Sequence, residues 1–325
     1  MGKLRCASFF AGVGGIDLGF EQTGKFEVVY ANEIDKYPVQ TYELNSNIKV
    51  DNRSICDVQA SEIPDFDVML AGFPCTDISI AGNRKGLFHE DGSLTRSGLF
   101  FELIRIIHEK KPRIVFLENV KNLVGHNNGE TFRIIMNALI EEGYTHPQYK
   151  VMNAKEYGNV AQNRERIYIV AFLDDAERQK FDFPMPIPLE SGLEDIIDFH
   201  SKVDDKYYYT ADKYKGTIYE KLVESIDDDR AVYQWRRKYV RKNQSGVVPT
   251  LTANQGEGGH NVCIVKTDYG IRKMTPRECF LAQGFPKEFQ LPENMADSRL
   301  YKQSGNSVCV SVIKRIAENI AKATE

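Results

Sequence analysis

No run approaches the ~18 consecutive apolar residues of a membrane span anywhere in this chain of 325 residues. The start, MGKLRCASFFAGVGG, lacks an apolar stretch long enough for a secretory signal, and Cys6 stands where a myristoylation site needs Ser or Thr. A cytoplasmic protein is expected. The six cysteines (Cys6, Cys56, Cys75, Cys263, Cys279 and Cys309) form no CxxC pair. Neither a zinc site nor a disulfide framework is expected, and the compartment reads as reducing. Charge of one sign is also missing: 42 basic against 46 acidic side chains leave −4, so any nucleic-acid contact has to come from a local basic surface. There is no internal repeat and no low-complexity tract. The dinucleotide fingerprint GxGxxG is absent as well, because its third glycine, counted from Gly12, falls on Asp17.

What is present, over residues 4 to 172, is an alternation of strand-like and helix-like segments. LRCASFF, FEVVYAN, FDVMLAGF, RIVFLEN and RIYIVAFL read as strands, and IDLGFEQTG, SGLFFELIRIIHEKKP and TFRIIMNALIEEG read as helices. This spacing predicts an α/β fold with a mostly parallel, doubly wound sheet, in which ligands bind beyond the carboxyl ends of the strands. From about Phe181 the texture changes to a Pro-rich linker and then a polar, Tyr-rich stretch. The expected division is a catalytic, cofactor-binding domain at 1–185, a smaller irregular domain at 186–271, a hinge region at 272–295, and a C-terminal segment at 296–325 that returns to the first domain.

Five stretches carry candidate chemistry. FFAGVGG ends the first strand with glycines that let the backbone approach a ligand. Glu33 ends the second, where an acid can bind ribose hydroxyls. Together they suggest an adenosine-type cofactor, S-adenosylmethionine rather than NAD because the pyrophosphate pattern is missing. GFPC places Cys75 at the end of the third strand, followed by a long loop with Arg84, Lys85 and Arg96. Cys75 is either a buried structural thiol or a nucleophile beneath a closing basic loop. Glu118 ends an apolar strand, which costs free energy unless the carboxylate is paired or used. In QNRER, Arg164 and Arg166 alternate and so would share a face; they form either a solvated strand start or a guanidinium pair for phosphate and a carbonyl oxygen. No histidine ends a strand, which disfavours a Cys–His hydrolase.

The ordered series FAGVGG, NEID, GFPC, ENV, QNRER, RKMTPRECFLAQGFP and QSGNSV resembles the DNA cytosine-5 methyltransferase family, in the form of a compact prokaryotic or phage modification enzyme. The resemblance implies an S-adenosylmethionine-dependent, Rossmann-like catalytic domain and a target-recognition domain over 186–271. It implies that Cys75 adds to carbon 6 of a cytosine flipped out of the duplex, that Glu118 binds ring nitrogen 3 and the exocyclic amine, and that Arg166 holds the carbonyl oxygen with Arg164 near a phosphate or the loop. For the cofactor it implies Phe10, Ala11, Gly12, Gly14 and Gly15 at the methionine part, Glu33 at the ribose, Ile34 and Ile55 on the adenine, Phe73 under the sulfonium, and Asn306, Ser307 and Val308 completing the pocket.

For DNA the resemblance implies contacts from Ser79, Arg84, Lys85 and Arg96 of the loop, from Arg236 and Arg237 of a basic run interleaved with Trp235 and Tyr239, and from Thr250, Gln255 and His260 of SGVVPTLTANQGEGGHN. Two departures stand out: Thr76 replaces the family's glutamine after Pro-Cys, and Ser54 replaces the acid before Ile55. Double-stranded DNA is the expected partner, and an enzyme of this type can be accompanied by a cognate restriction endonuclease acting on the same site. A monomer is expected. A tRNA methyltransferase of the same fold and a DNA-binding relative with impaired catalysis remain as alternatives.

Overall fold

The computed structural model describes residues 2–74, 98–214, 216–236, 238–255 and 262–325. Cys75, Thr76, Ser79, Arg84, Lys85, Arg96, Arg237 and His260 therefore lie outside the described residues. The chain divides into two compact units, one made of residues 1–152, 165–185 and 312–325 and the other of 153–164 and 186–311.

In chain order the strands are β1 (Leu4–Phe9), β2 (Phe26–Asn32), β3 (Val68–Ala71), β4 (Ile114–Val120), β5 (Gln148–Asn153), β6 (Gln162–Asn163), β7 (Glu165–Phe172), β8 (Tyr233–Trp235), β9 (Val240–Lys242), β10 (Val248–Pro249), β11 (Cys263–Thr267) and β12 (Gly270–Lys273). The α-helices are α1 (Gly15–Glu21), α2 (Lys36–Asn45), α3 (Gly98–Lys110), α4 (Glu130–Glu141), α5 (Ala154–Tyr157), α6 (Asp175–Lys180), α7 (Ala211–Tyr214), α8 (Tyr219–Ser225), α9 (Pro276–Leu281), α10 (Asp297–Asn306) and α11 (Val310–Ala323).

The first unit is built on a six-stranded sheet of order β2-β1-β3-β4-β7-β5. β1 pairs in parallel with β2 and β3, and β3 with β4. Every residue of β3 is buried, as is β4 up to Asn119; this is the continuous apolar texture of strands covered on both faces. Helix α3 lays Phe100, Leu103 and Ile107 on a core that includes Phe9, Met69, Val115, Leu139 and Ile169, the i, i+3, i+7 spacing of one helical face. The sheet is parallel up to β4, but β7 runs antiparallel to it. Only residues 154–164 separate β5 from β7, with a single-turn helix among them, too short for the crossover that a parallel return requires. This reversal brings the start of β7 to the carboxyl ends of the parallel strands.

The second unit is more regular than its sequence texture suggests. β12-β11-β8-β9 form a four-stranded antiparallel sheet. Two boundaries also differ from those read in the sequence: residues 153–164 group with the second unit, and the return to the first begins at Val312. The physical reason for the first difference is pairing, since β6 forms a parallel ladder with β10.

A buried ion pair organises this unit. The Arg272 guanidinium donates to Glu278 Oε2 at 2.8 Å and Oε1 at 2.6 Å. The same carboxylate accepts from the backbone of Thr275 and Asp198, so it closes the capping box that starts α9. Glu278→Ala leaves a guanidinium buried without its counter-charge. The expected cost is about 3–5 kcal/mol in urea unfolding; a loss below ~1 kcal/mol would mean that the pair is not holding α9.

Candidate active site

Within the first unit the candidate residues gather where the strands end. β1 runs into a loop whose backbone is left-handed at Phe10, Gly12 and Gly14. For Phe10 this is a strained conformation, held because Ala11 N donates to Asn32 O at 3.1 Å. Gly14 has φ +82°, and a Cβ there would lie 2.8 Å from the Tyr42 ring, so the ring occupies the space that a side chain would need. Gly15 then begins α1.

Glu33 follows β2 and braces this loop. Its Oε2 accepts from Gly12 N at 3.0 Å and its Oε1 from Asp35 N at 2.8 Å. Burial pushes its pKa up, against the backbone donors of Asp35, Gly12 and Ile34. A carboxylate has about four acceptor sites, so the backbone donors do not exhaust it and a ribose hydroxyl can still be accepted. Ile34 beside it is 64% exposed, a bare apolar surface next to an acid. Ile55 is buried in the core instead, and Ser54 Oγ accepts from Cys56 N, capping a short 3-10 turn.

At the ends of β3 and β4, Phe73 is buried against Phe100 with ring centroids 5.3 Å apart. Asn119 Nδ2 donates to Phe73 O at 2.9 Å, which fixes the chain two residues before Cys75. Glu118 is 8% exposed. In the antiparallel register Val120 faces Arg166 and Glu118 faces Tyr168, so Glu118 and Arg166 are diagonal neighbours on one face. Arg166 Nε lies 3.2 Å from Glu118 Oε1. The result is a buried carboxylate and a guanidinium side by side, able to bind complementary groups on one planar heterocycle.

Asp17, Ser8 and Tyr42 form a group that the sequence reading did not single out. Ser8 Oγ donates to Asp17 Oδ1 at 2.6 Å and Tyr42 OH to Oδ2 at 2.7 Å. The available signal was an acid in the first turn of a helix otherwise buried on that face. Burial pushes the Asp17 pKa up to about 6 from 3.8, although both hydroxyls favour the anion. The folded state therefore holds this proton more tightly than the unfolded chain. The group's contribution to stability is full below pH ~4 and is lost as pH rises through about 6, by on the order of 3 kcal/mol. Asp17→Asn is expected to raise the melting temperature at pH 8 relative to wild type, and to raise it much less at pH 4. An equal change at both pH values would contradict this.

In the second unit the structure corrects two expectations. Arg164 is not at a solvated strand start: it lies between β6 and β7 and is buried. It is 2% exposed, and its guanidinium donates to the carbonyls of Leu251, Gly305 and Ser307, which leaves no surface for a phosphate. Gln255 is fully buried, with its amide donating to Tyr301 O and Ser304 Oγ, so it does not face a base edge.

Thr250 is part-exposed and donates to Asn163 O at 2.6 Å. Arg236, part-exposed, accompanies the β8–β9 hairpin with Tyr239 exposed beside it. Asn306 is exposed, Ser307 and Val308 are buried, and Ser307 Oγ has no hydrogen-bond partner among the described residues. Within the first unit, the Glu33 carboxylate and the bare Ile34 beside it are features that a bound adenosine derivative would satisfy.

Comparison with known proteins agrees with this geometry. The family model of the C-5 cytosine-specific DNA methylases matches residues 4–322. The type II methyltransferase M.Bsp6I of Bacillus sp. (strain RFL6) is 57% identical over 98% of this chain and 99% of its own length. M.SsoII of Shigella sonnei is 40% identical over 98% of this chain and 80% of its own. The Entamoeba histolytica methyltransferase EhMeth superposes with a TM-score of 0.75 over the whole of both chains, at 18% identity; it supports the fold. No helix among the described residues is long and apolar enough to cross a membrane. Matched from residue 4 to residue 322 by the family model and 57% identical to a type II methyltransferase over nearly its whole length, with a parallel sheet whose strand ends gather a braced glycine loop and a buried Glu–Arg pair, the chain belongs to the C-5 cytosine-specific DNA methylase family.

Proposed function

We propose that the enzyme methylates cytosine within one short duplex sequence, with S-adenosylmethionine as donor and Cys75 as nucleophile. When bound, that donor supplies an electrophilic methyl group on a sulfonium. The 10–15 loop, Glu33, Ile34 and Phe73 would hold it. Carbon 5 of cytosine is a poor nucleophile by itself. The Cys75 thiolate adds to carbon 6, and the electron pair of the 5,6 double bond shifts to give an enamine able to take a methyl at carbon 5. Glu118 binds nitrogen 3 and the exocyclic amine and favours the ring form protonated at nitrogen 3. Arg166 holds the carbonyl oxygen. Loss of the carbon-5 proton restores the double bond and expels the thiolate.

Ser79, Arg84, Lys85 and Arg96, with Arg236, Arg237, Thr250 and His260, are the proposed DNA contacts. The enzyme is proposed to act as a cytoplasmic monomer, paired with an endonuclease of the same specificity; the designation of its relatives as type II methyltransferases supports that pairing.

The observation that carries the reading is the Glu118–Arg166 pair beside the fixed approach to Cys75. The test uses methyl-labelled S-adenosylmethionine with mixed-sequence duplex DNA and, separately, bulk tRNA, followed by mapping of 5-methylcytosine. Label at one recurring duplex motif is expected. Label in tRNA alone would replace the substrate, and label in neither would point to a relative with impaired catalysis.

A further inference from the structure

The segment 248–255 is fastened along its length to the interior of the second unit. Val248 pairs with Gln162, Leu251 N donates to Gln162 Oε1 at 3.3 Å, and Gln255 donates to Tyr301 O and Ser304 Oγ, each at 3.1 Å. Arg164 stands at the centre. One guanidinium nitrogen donates to Leu251 O at 2.8 Å, and the other to Gly305 O at 3.0 Å and to Ser307 O. These carbonyls belong to two separate stretches, the 248–255 segment and the carboxyl end of α10 with its cap residue Ser307. The two stretches also touch directly, because a Cβ on Gly305 would overlap the Thr252 carbonyl. The missing side chain lets the backbones meet, and the planar fork fixes their register. A lysine keeps the charge but offers a single point donor and cannot span three carbonyls held in this way.

We propose that Arg164 is a positioning residue for target discrimination: it sets the register of the 248–255 segment against the carboxyl end of α10 and makes no contact with DNA. This rests on the reading that the 248–255 segment faces the duplex. A residue of this kind acts on discrimination between sequences and leaves the count of phosphate contacts unchanged. A phosphate contact does the reverse, lowering affinity for all sequences and reducing the salt slope by about one when the charge is removed.

The test compares wild type, Arg164→Lys, Arg164→Met and Gly305→Ala on a duplex carrying the mapped site and on duplexes with single base-pair changes. It reads kcat/KM for each duplex and the dependence of duplex affinity on salt. Arg164→Lys is expected to lower the ratio between correct and altered sites by at least about tenfold, the scale of one mismatched contact. Arg164→Met is expected to lower it further with the salt slope unchanged. Gly305→Ala perturbs the same junction with Arg164 intact and should lower the ratio similarly, so it carries the test if an Arg164 variant fails to fold. Wild-type discrimination in Arg164→Lys or in Gly305→Ala would overturn the proposal, as would a salt slope smaller by about one in Arg164→Met. If wild type itself does not distinguish the duplexes, the reading of the 248–255 segment as DNA-facing fails, and the proposal fails with it.

Discussion

Cys75→Ser is expected to lower methyl transfer by roughly 10⁴-fold or more while duplex affinity stays within about threefold of wild type. A thiol is a few per cent ionised at neutral pH and is intrinsically nucleophilic. A serine hydroxyl at the same position needs a strong neighbouring base. The acid proposed to meet the cytosine ring, Glu118, lies against Arg166. Initial-rate label transfer and a gel-shift titration on the same duplex measure both quantities. Retained turnover would remove Cys75 from the chemistry. Lost duplex binding in parallel with lost activity would point to a structural thiol, the alternative that its place at the end of an apolar strand allows.

Glu118→Gln is the second large expectation, a fall in kcat of roughly 10²–10⁴-fold with KM for DNA little changed. The carboxylate is buried and lies beside Arg166 Nε. An amide of the same shape preserves packing but presents an NH₂ or a neutral oxygen where an anion stood. It can neither favour the protonated ring nor balance the guanidinium. The same substitution leaves Arg166 with a poorly compensated charge, so a lower melting temperature should accompany the loss of rate. Activity within about tenfold of wild type would show that the ring is activated elsewhere.

Much of the first unit was legible in the sequence because its strands are buried runs broken by helices of regular period. Glu33 and Glu118 stood out for a simple reason: a carboxylate at the end of an apolar strand is costly unless something uses it. The pairing of Glu118 with Arg166 was not legible. It depends on the antiparallel register of β7, which follows from a connection too short for a crossover and leaves no mark in the strand itself. The sequence left Arg164 either solvated or aimed at a phosphate; the chain leaves β6 at Asn163 and enters β7 at Glu165, and Arg164 between them is buried on backbone carbonyls.

Gln255 misled in another way. A polar residue before a Gly-rich stretch reads as exposed, yet its amide is buried against α10. Of the second sheet only NVCIVK, which becomes β11, reads as β-like; its strands are three to five residues long, too short for a period-2 pattern to show the sheet. Tyr42 carried no signal at all: its role beside Gly14 and Asp17 exists only once α2 packs against the glycine loop.

The most direct test of the central claim is to trap the bond between the thiol and the ring. A duplex carrying 5-fluorocytosine at the mapped site, incubated with the enzyme and S-adenosylmethionine, blocks the final elimination because no proton is left to remove from carbon 5. Peptide mass mapping of the trapped complex should place one methylated fluorocytosine adduct on the peptide containing Cys75. An adduct on any other residue, or steady methylation of the normal duplex with no adduct on the fluorinated one, would contradict the account.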